Sequence, residues 1–549
     1  METIHRIGPC SLVSLSLALL LGCREPKTAA PPLHFVDIAA ESGLVHPTWC
    51  GREDKPHLLE SGGSGLALLD YDGDGDMDLY LVNGWRLEGS EVIEKGANRL
   101  YRNRGDGSFE DVTDEAAVGD EGWGCGVAVG DPDGDGDPDL FITNFGQDVL
   151  FLNQGNGQFT RAENPPGIDG WSTGAVFFDA DNDGDQDLFV AAYVDCNLDD
   201  VRHAQRGLSW KGDKVMVGPF GLEGKANRYF ENIGKGQFAD ATEEAGLSDV
   251  GLYYSFAVLA LDLDHDLDLD LYVANDSNPN YLYINDGQGQ FEETGLWSGA
   301  SLDKNGMAQA GMGLASGDVD RDGWTDLFVT NFGDDHSALY RNLGGGSFAD
   351  ITVEAGVWEP SYKPLSWGTV LADFDLDGYL DMFIANGHIY PQADHAPESK
   401  TSFNQLNLVL LGGPKGFVDK SSEAGPGLAV RLSSRGLVSG DLDGDGDLDL
   451  IISNMDAAPT YLRNDSVHAG HWLMIDAPNA ICIELSAEDW HRRIDLTRGS
   501  SYVSASDPRC HVGLGPIDQV NVKATWSNGR VVRRDNVKAD QLIHLNPEN

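Results

Sequence analysis

The chain has 549 residues, and its 89 acidic against 37 basic side chains give a formal charge of −52. A surface so acidic repels phosphate backbones and argues against nucleic acid as a partner. The length accommodates one large repeat domain with an extra module, and the five cysteines beyond Cys10 and Cys23, odd in number and without metal spacing, define no disulfide framework.

The N-terminus reads as a targeting signal. Leu12 to Leu21 is an apolar run of ten residues after His5 and Arg6, too short to span a bilayer and of the right length for a signal h-region. Leu20-Leu21-Gly22-Cys23 resembles a bacterial lipobox, which implies a signal peptide over 1–22 and a lipid on Cys23; ordinary signal cleavage nearby is the alternative. Arg24 after the cysteine implies sorting to an outer membrane where the cell has one. Residues 23–33 are rich in Pro and Ala and read as a tether.

Next comes His34-Phe35-Val36-Asp37-Ile38, which matches the ends of later repeats such as Phe238-Ala239-Asp240 and Phe348-Ala349-Asp350. It is a closing strand without its own repeat. The first complete repeat then shows the local pattern: strands at Gly65–Leu69, Leu79–Val82, Arg99–Asn103 and Phe109–Thr113, separated by Gly, Asn and Asp turns.

Between the first two strands lies a nonapeptide of the form D-x-D-x-D-G-x-x-D, and it recurs seven times at a mean spacing of about 62 residues. Its carboxylates are Asp70, Asp72, Asp74 and Asp78; Asp131, Asp133, Asp135 and Asp139; Asp179, Asp181, Asp183 and Asp187; Asp262, Asp264, Asp266 and Asp270. The series continues with Asp318, Asp320, Asp322 and Asp326; Asp373, Asp375, Asp377 and Asp381; and Asp441, Asp443, Asp445 and Asp449. Calcium takes six to eight oxygen ligands in a flexible shell, so four carboxylates, the carbonyl at the seventh position (Asp447 in the last loop) and water suffice. Without a cation, carboxylates at about 4 Å repel by roughly 1 kcal/mol per pair in water and about 4 at an effective dielectric near 20. Up to seven Ca2+ ions are therefore expected, leaving a charge of about −38. An EF-hand would need a Glu at position twelve and flanking helices, but that position in the first loop is Leu81. In the fourth loop Leu267 stands where the others have Gly, and a left-handed turn there costs roughly 1–2 kcal/mol, so this is expected to be the weakest site. Trp324 and Tyr379 occupy the carbonyl-donating position and are free to pack outward.

Four strands per repeat and seven repeats specify an all-β chain: a seven-bladed β-propeller over 34–466, with Phe35–Ile38 completing the last blade, whose own copy lacks a closing strand. Two connections are long. Asn197 to Lys225 contains Trp210, and Asn386 to Asn407 contains His388, which reads more readily as a packed or solvent-facing loop histidine than as a ligand contact. Residues 467–549 hold only one net negative charge and form a different, small β module, with Val520, Val522, Ala524 and Trp526 alternating along one strand. Within it Cys482 and Cys510 could pair.

These residues resemble a known family. The seven loops with N-x-x-Y-x-N and G-x-F-x-D-x-T strands look like FG-GAP/VCBS repeats, the propeller type of integrin α heads. Ser501-Tyr502, Ser506-Asp507-Pro508-Arg509, His511-Val-Gly-Leu-Gly515 and Trp526-Ser-Asn-Gly-Arg530 resemble the ASPIC/UnbV domain that follows such repeats in cartilage acidic protein and bacterial secreted proteins. Pro478–Leu485 lacks the family's glycine-rich opening, so the module is expected to be shortened or diverged, and no cysteine precedes Gly218-Pro219, so no disulfide is expected there. The resemblance implies an extracytoplasmic calcium-binding scaffold for cell-surface contact or adhesion, with an unidentified protein or glycan as partner and the membrane met only through the lipid. The alternatives are a polysaccharide lyase or glycosidase on a propeller, or a lectin-like glycan binder. No H-E-x-x-H or phosphate-loop pattern is present, and no catalytic residue is assigned.

Overall fold

The computed structural model describes residues 33–248 and 251–547; the signal peptide and Cys23 lie outside them. Seven four-stranded antiparallel blades follow one another, two of them sharing an edge at Phe145 and Trp171. The first runs from axis to rim as Leu66–Leu69, Asp78–Leu81, Arg99–Asn103 and Phe109–Asp111. Its apolar runs are continuous because both faces are covered. Leu79 and Leu81 pack with Val438 and Ile451 of the seventh blade, while Tyr80 and Val82 pack with Leu140 and Ile142 of the second. The fourth strand ends at Asp111, two residues earlier than its sequence implied. There Asp111 Oδ1 accepts from Thr113 N and Oγ1 (3.1 and 2.6 Å) and turns the chain into the short helix Thr113–Ala116.

The N-terminal strand Phe35–Asp37 pairs antiparallel with Thr460–Asn464 and closes the ring. Phe35 is fully buried, its ring edge-on to Phe374 and Phe383 of the sixth blade, and Leu33 is buried beside it, so packing begins at the last residue of the expected tether. Phe35→Ala is expected to cost about 3–5 kcal/mol, the range for truncating a core aromatic. A urea titration checks this, and an unchanged midpoint would show that the ring closes without the strand.

The C-terminal module is a two-sheet sandwich. One sheet holds Cys510–Gly515, His471–Asp476 and Leu542–His544; the other holds Trp490–Asp495, Ala480–Ala487, Gln519–Trp526 and Val531–Lys538. Ala480–Ala487, where the glycine-rich opening is missing, is an inner strand bonded on both sides. Cys482 and Cys510 are both free thiols and do not pair.

Between Asp495 and Cys510 the chain leaves the sandwich and enters the propeller axis. It exchanges backbone hydrogen bonds with inner strands of several blades: Leu68 N to Ala505 O (2.9 Å), Ala260 N to Arg498 O (3.0 Å) and Leu314 N to Ser501 O (2.9 Å). A Cβ at Gly65 would stand 1.9 Å from Val503 O, which is why that inner strand carries glycine. Tyr502, at the tip, is 2% exposed and packs with Trp171, Phe256 and Trp367. The opposite face is capped by the long connections. Arg52 Nη1 donates to Arg202 O (3.2 Å), Glu398 N to Lys211 O (3.2 Å), and Trp210 packs on Tyr390 (5.3 Å). Both ends of the axial channel are thus filled.

Candidate metal centres

Each acidic nonapeptide joins the first and second strands of its blade, and the loops share one backbone. In the first loop Asp70 Oδ1 accepts from Gly73 N and Asp74 N (2.8 and 3.1 Å) and Oδ2 from Gly75 N (3.0 Å); Asp441 repeats this with Gly444 and Gly446 (2.9 and 3.0 Å). The sixth residue is left-handed throughout, from Gly378 at φ +88° to Gly184 at +98°, and Leu267 is forced to +78°. The fourth residue is left-handed as well, including Asn182, His265, Arg321 and Leu376, a requirement the sequence signalled only through Gly73, Gly134 and Gly444.

The loops bring carboxylates together. Oxygens of Asp70, Asp72 and Asp78 lie within 4.8 Å of one another, as do those of Asp131, Asp133 and Asp139, of Asp179, Asp181 and Asp183, of Asp262, Asp264 and Asp266, and of Asp318, Asp320 and Asp326. The fifth-position carboxylates Asp74, Asp135, Asp183, Asp266, Asp322, Asp377 and Asp445 each accept from the backbone N–H two residues on. Among the described residues, Asp133 Oδ1, Asp139 Oδ2, Asp179 Oδ1, Asp264 Oδ1 and Asp443 Oδ1 are buried without a hydrogen-bond donor. Inward carboxylate oxygens without donors fit a hard cation, and the donor set, all oxygen, fits Ca2+.

The ninth residue does more than its sequence implied. Asp449 Oδ1 accepts from Asn464 N (2.8 Å), and Asp78, Asp139, Asp187, Asp270 and Asp326 accept in the same way from Asn103, Asn153, Asn232, Asn285 and Asn342. The side chains of these asparagines reach the preceding blade: Asn103 Nδ2 to Leu442 O (2.9 Å), Asn153 to Tyr71 O (2.9 Å), Asn342 to Leu263 O (2.9 Å) and Asn464 to Phe374 O (3.1 Å). Those carbonyls belong to the second residue of the neighbouring loop, so six of the seven blades are tied to the loop before them around the ring. The sixth blade has Gly412 in that place, which offers Asp381 the backbone N–H (2.8 Å) but no side-chain tie.

Burial lifts the ninth-position carboxyls, Asp78, Asp139 and Asp326 to about 8 and Asp187 to about 7, with like charges in the loop pushing the same way. The metal-free fold then holds protons that the unfolded chain, at 3.8, has released, so its stability falls as pH rises from about 4 to 8. In chelator the melting temperature is expected to drop between pH 5 and 8, and calcium to remove that slope. A flat profile in chelator would contradict the buried, uncompensated carboxyls.

The C-terminal module sits on this same face. Arg493 Nη2 pairs with Asp262 Oδ2 (3.1 Å), Asp495 accepts from Thr325 Oγ1 and His265 Nε2 (2.8 and 3.2 Å), Arg509 Nη1 donates to Gly75 O (3.2 Å) and His511 Nε2 to Gly446 O (2.9 Å). The fourth loop is therefore distinct twice over, by Leu267 and by the guanidinium on Asp262. Leu267→Gly is expected to stabilise the fold by about 1 kcal/mol by relieving the left-handed strain; a lower urea midpoint would contradict it. Trp324 and Tyr379 pack laterally rather than outward: Trp324 stacks on His265 (3.9 Å) and Tyr379 lies under Arg321 (3.2 Å). His388 is buried in the cap, where its Nδ1 accepts from Tyr390 N (3.0 Å) and burial lowers its pKa to about 3, so it is a packing residue.

The family matches agree with the division into repeats and a C-terminal module. Residues 70–142, 131–190, 262–329 and 318–384 match the FG-GAP-like repeat, and residues 482–549 match the ASPIC and UnbV family. Cartilage acidic protein 1 of Homo sapiens is 30% identical over 284 residues, and that of Mus musculus 29% over 282. The alignments cover 48% and 47% of this chain but only 39% and 40% of those proteins, so the chain spans about two fifths of the length of the curated relatives it matches. Among solved structures, a lectin of Agrocybe aegerita aligns with a TM-score of 0.40 at 16% identity, covering 73% of this chain and 94% of the lectin.

Proposed function

We propose that this homologue of cartilage acidic protein 1, a propeller of FG-GAP-like repeats carrying an ASPIC/UnbV module, is a calcium-loaded binding scaffold. It acts outside the cytoplasm, held to the cell envelope by a lipid on Cys23, and contacts a protein or glycan at the cell surface. The observation that carries this reading is the recurrence of clustered carboxylates at the same point of at least five blades, with buried oxygens lacking donors in several loops. The first, third, fifth and ninth loop residues and the seventh carbonyl would hold the ions. Bound calcium supplies positive charge that lets these oxygens stay ionised and close together. Everything else is done by the chain: the asparagine ties carry loop order from blade to blade, and Arg493, Arg509 and His511 dock the C-terminal module onto the ordered loops.

Binding at outer surfaces, rather than catalysis on the axis, is supported by the filling of the channel with Ser501 to Asp507. The test is retention of the full chain on panels of matrix proteins and glycans with calcium or with EGTA, beside lyase and hydrolase assays on the same panel. Calcium-dependent retention without turnover is expected. Turnover of a polysaccharide would overturn the scaffold reading, and a Cys23→Ala chain that still fractionates with membranes would overturn the anchor.

A further inference from the structure

On the face opposite the acidic loops, the segments that depart from the repeat pattern converge on one cleft of about 820 Å3. Its walls come from the stretch before the first blade, the extra hairpin Trp85–Glu88 and Glu91–Lys95 of that blade, the insertion of the third blade, and the loop at Asp456 of the seventh. The insertions of a repeat protein are free to vary without harming the ring, and here several of them build a single concavity of the size that small ligands occupy, about 300–1,000 Å3.

The walls are held rigidly. Gly51 N donates to Trp85 O (2.7 Å) and Leu87 N to Gly51 O (3.2 Å), so the pre-blade segment is bridged to the hairpin at Gly51. Behind it Arg52 is fully engaged: Nη2 and Nε bind the buried Glu60 (2.5 and 2.9 Å), Nη1 donates to Gly89 O and Arg202 O (3.1 and 3.2 Å), and Nη2 also reaches Val201 O (2.5 Å). Lys55, itself 0% exposed, pairs with Asp456 (2.5 Å). Buried ion pairs contribute little net stability compared with apolar packing, but they fix one arrangement of the segments they join. A cleft fixed in advance is one that loses little ordering entropy on binding.

Its chemistry is balanced. Trp49 lines the cleft half-buried, with the Arg86 guanidinium 5.0 Å from its ring centroid. Around it stand Arg206 and Lys214 as donors and Asp54 and Glu88 as acceptors, all exposed, with Arg206 Nε 3.9 Å from Asp54 Oδ2 in a loose surface pair. A polyanion would meet those carboxylates, an apolar ligand would strand all the charges, and a flat protein interface of about 800 Å2 per partner does not fit within such walls. A ligand that presents many hydroxyls, each both donor and acceptor, and an apolar ring face to an indole satisfies all of them. We infer that this cleft binds an oligosaccharide, with the Trp49 indole and the Arg86 guanidinium stacked over it as one flat wall and Glu88, Asp54 and Arg206 as the hydroxyl-binding groups. This rests on the scaffold reading and names the ligand class of one of its surfaces.

The test is a microarray of neutral and uronate-containing oligosaccharides probed with the full calcium-loaded chain, followed by tryptophan-fluorescence titration of each retained oligosaccharide. At least one is expected to bind, with affinity falling tenfold or more in Trp49→Ala and several-fold in the surface variant Glu88→Gln, both at unchanged melting temperature. Lys214→Glu is a second exposed variant for the case that Trp49→Ala unfolds. An array without a retained oligosaccharide, one whose binding ignores these variants, or a protein ligand displaced by them in place of a glycan overturns the inference. Calcium-dependent stability is unaffected by any of these results, so failure here is separable from failure of the scaffold reading.

Discussion

Removal of divalent cations with EGTA is expected to lower the melting temperature by tens of degrees, with calcium restoring it and magnesium restoring little. The magnitude follows from linkage: a ligand at a hundred times its dissociation constant stabilises by about 2.7 kcal/mol per site, so seven such sites would approach 19. A folded domain has only about 5–15 kcal/mol in hand. The chelated ring is therefore expected to melt far lower as one unit, because in six of the seven blades the loop is tied through an asparagine side chain to the carbonyl of its neighbour. Magnesium demands a tight octahedral shell and dehydrates reluctantly, which these wide carboxylate loops do not favour. Equal melting in calcium, magnesium and EGTA would remove the metal from the account.

Tyr502→Ala is expected to cost about 3–5 kcal/mol, although the residue lies in the C-terminal module and not in the ring. Its ring is edge-on to Trp367 at 4.8 Å and to Phe256 at 5.5 Å, inside the core that joins the axial segment to the cap. The neighbouring Ser501 and Val503 are held at φ +58° and +47°, and for a β-branched residue such as Val503 that conformation persists only under tight packing. Loss of the Tyr502 ring should therefore release the whole segment. Tryptophan emission should shift to the red as Trp171 and Trp367 meet water, and chain cleavage between the propeller and the module should accelerate. Tyr502→Phe keeps the ring and is expected to stay within about 1 kcal/mol of the parent. An alanine variant with parental emission and urea midpoint would show that the axis does not depend on its plug.

The ring was legible because its signals are periodic. Apolar runs at fixed offsets from each acidic loop, together with Phe35-Val36-Asp37 at the start and no equivalent after Asn464, specify seven blades and the strand that closes them. The approach of the first and third carboxylates, from Asp70 and Asp72 to Asp318 and Asp320, follows the same periodic signal. Three features were not legible. The structural duty of Asp449 and its equivalents depends on a third strand that returns across the sheet, and no local spacing encodes that pairing. The axial course of Arg498 to Asp507 has no periodicity at all; its small and polar residues read as a loop, and only the glycines opposite it, such as Gly65, carry a trace of the close approach. The cap and cleft arise where unrelated insertions meet, and the meeting of Trp210 with Tyr390, or of Arg52 with Arg202, is a property of the closed ring.

Carboxylates clustered around calcium should keep the ion on the folded chain. The elemental calcium content of the full chain after gel filtration in calcium-free buffer, read beside its protein concentration, tests this. Bound calcium approaching seven ions per chain, with the fourth loop the first to empty on titration with chelator, is the expected result. Protein that is fully folded yet free of calcium and of every other divalent ion would contradict it.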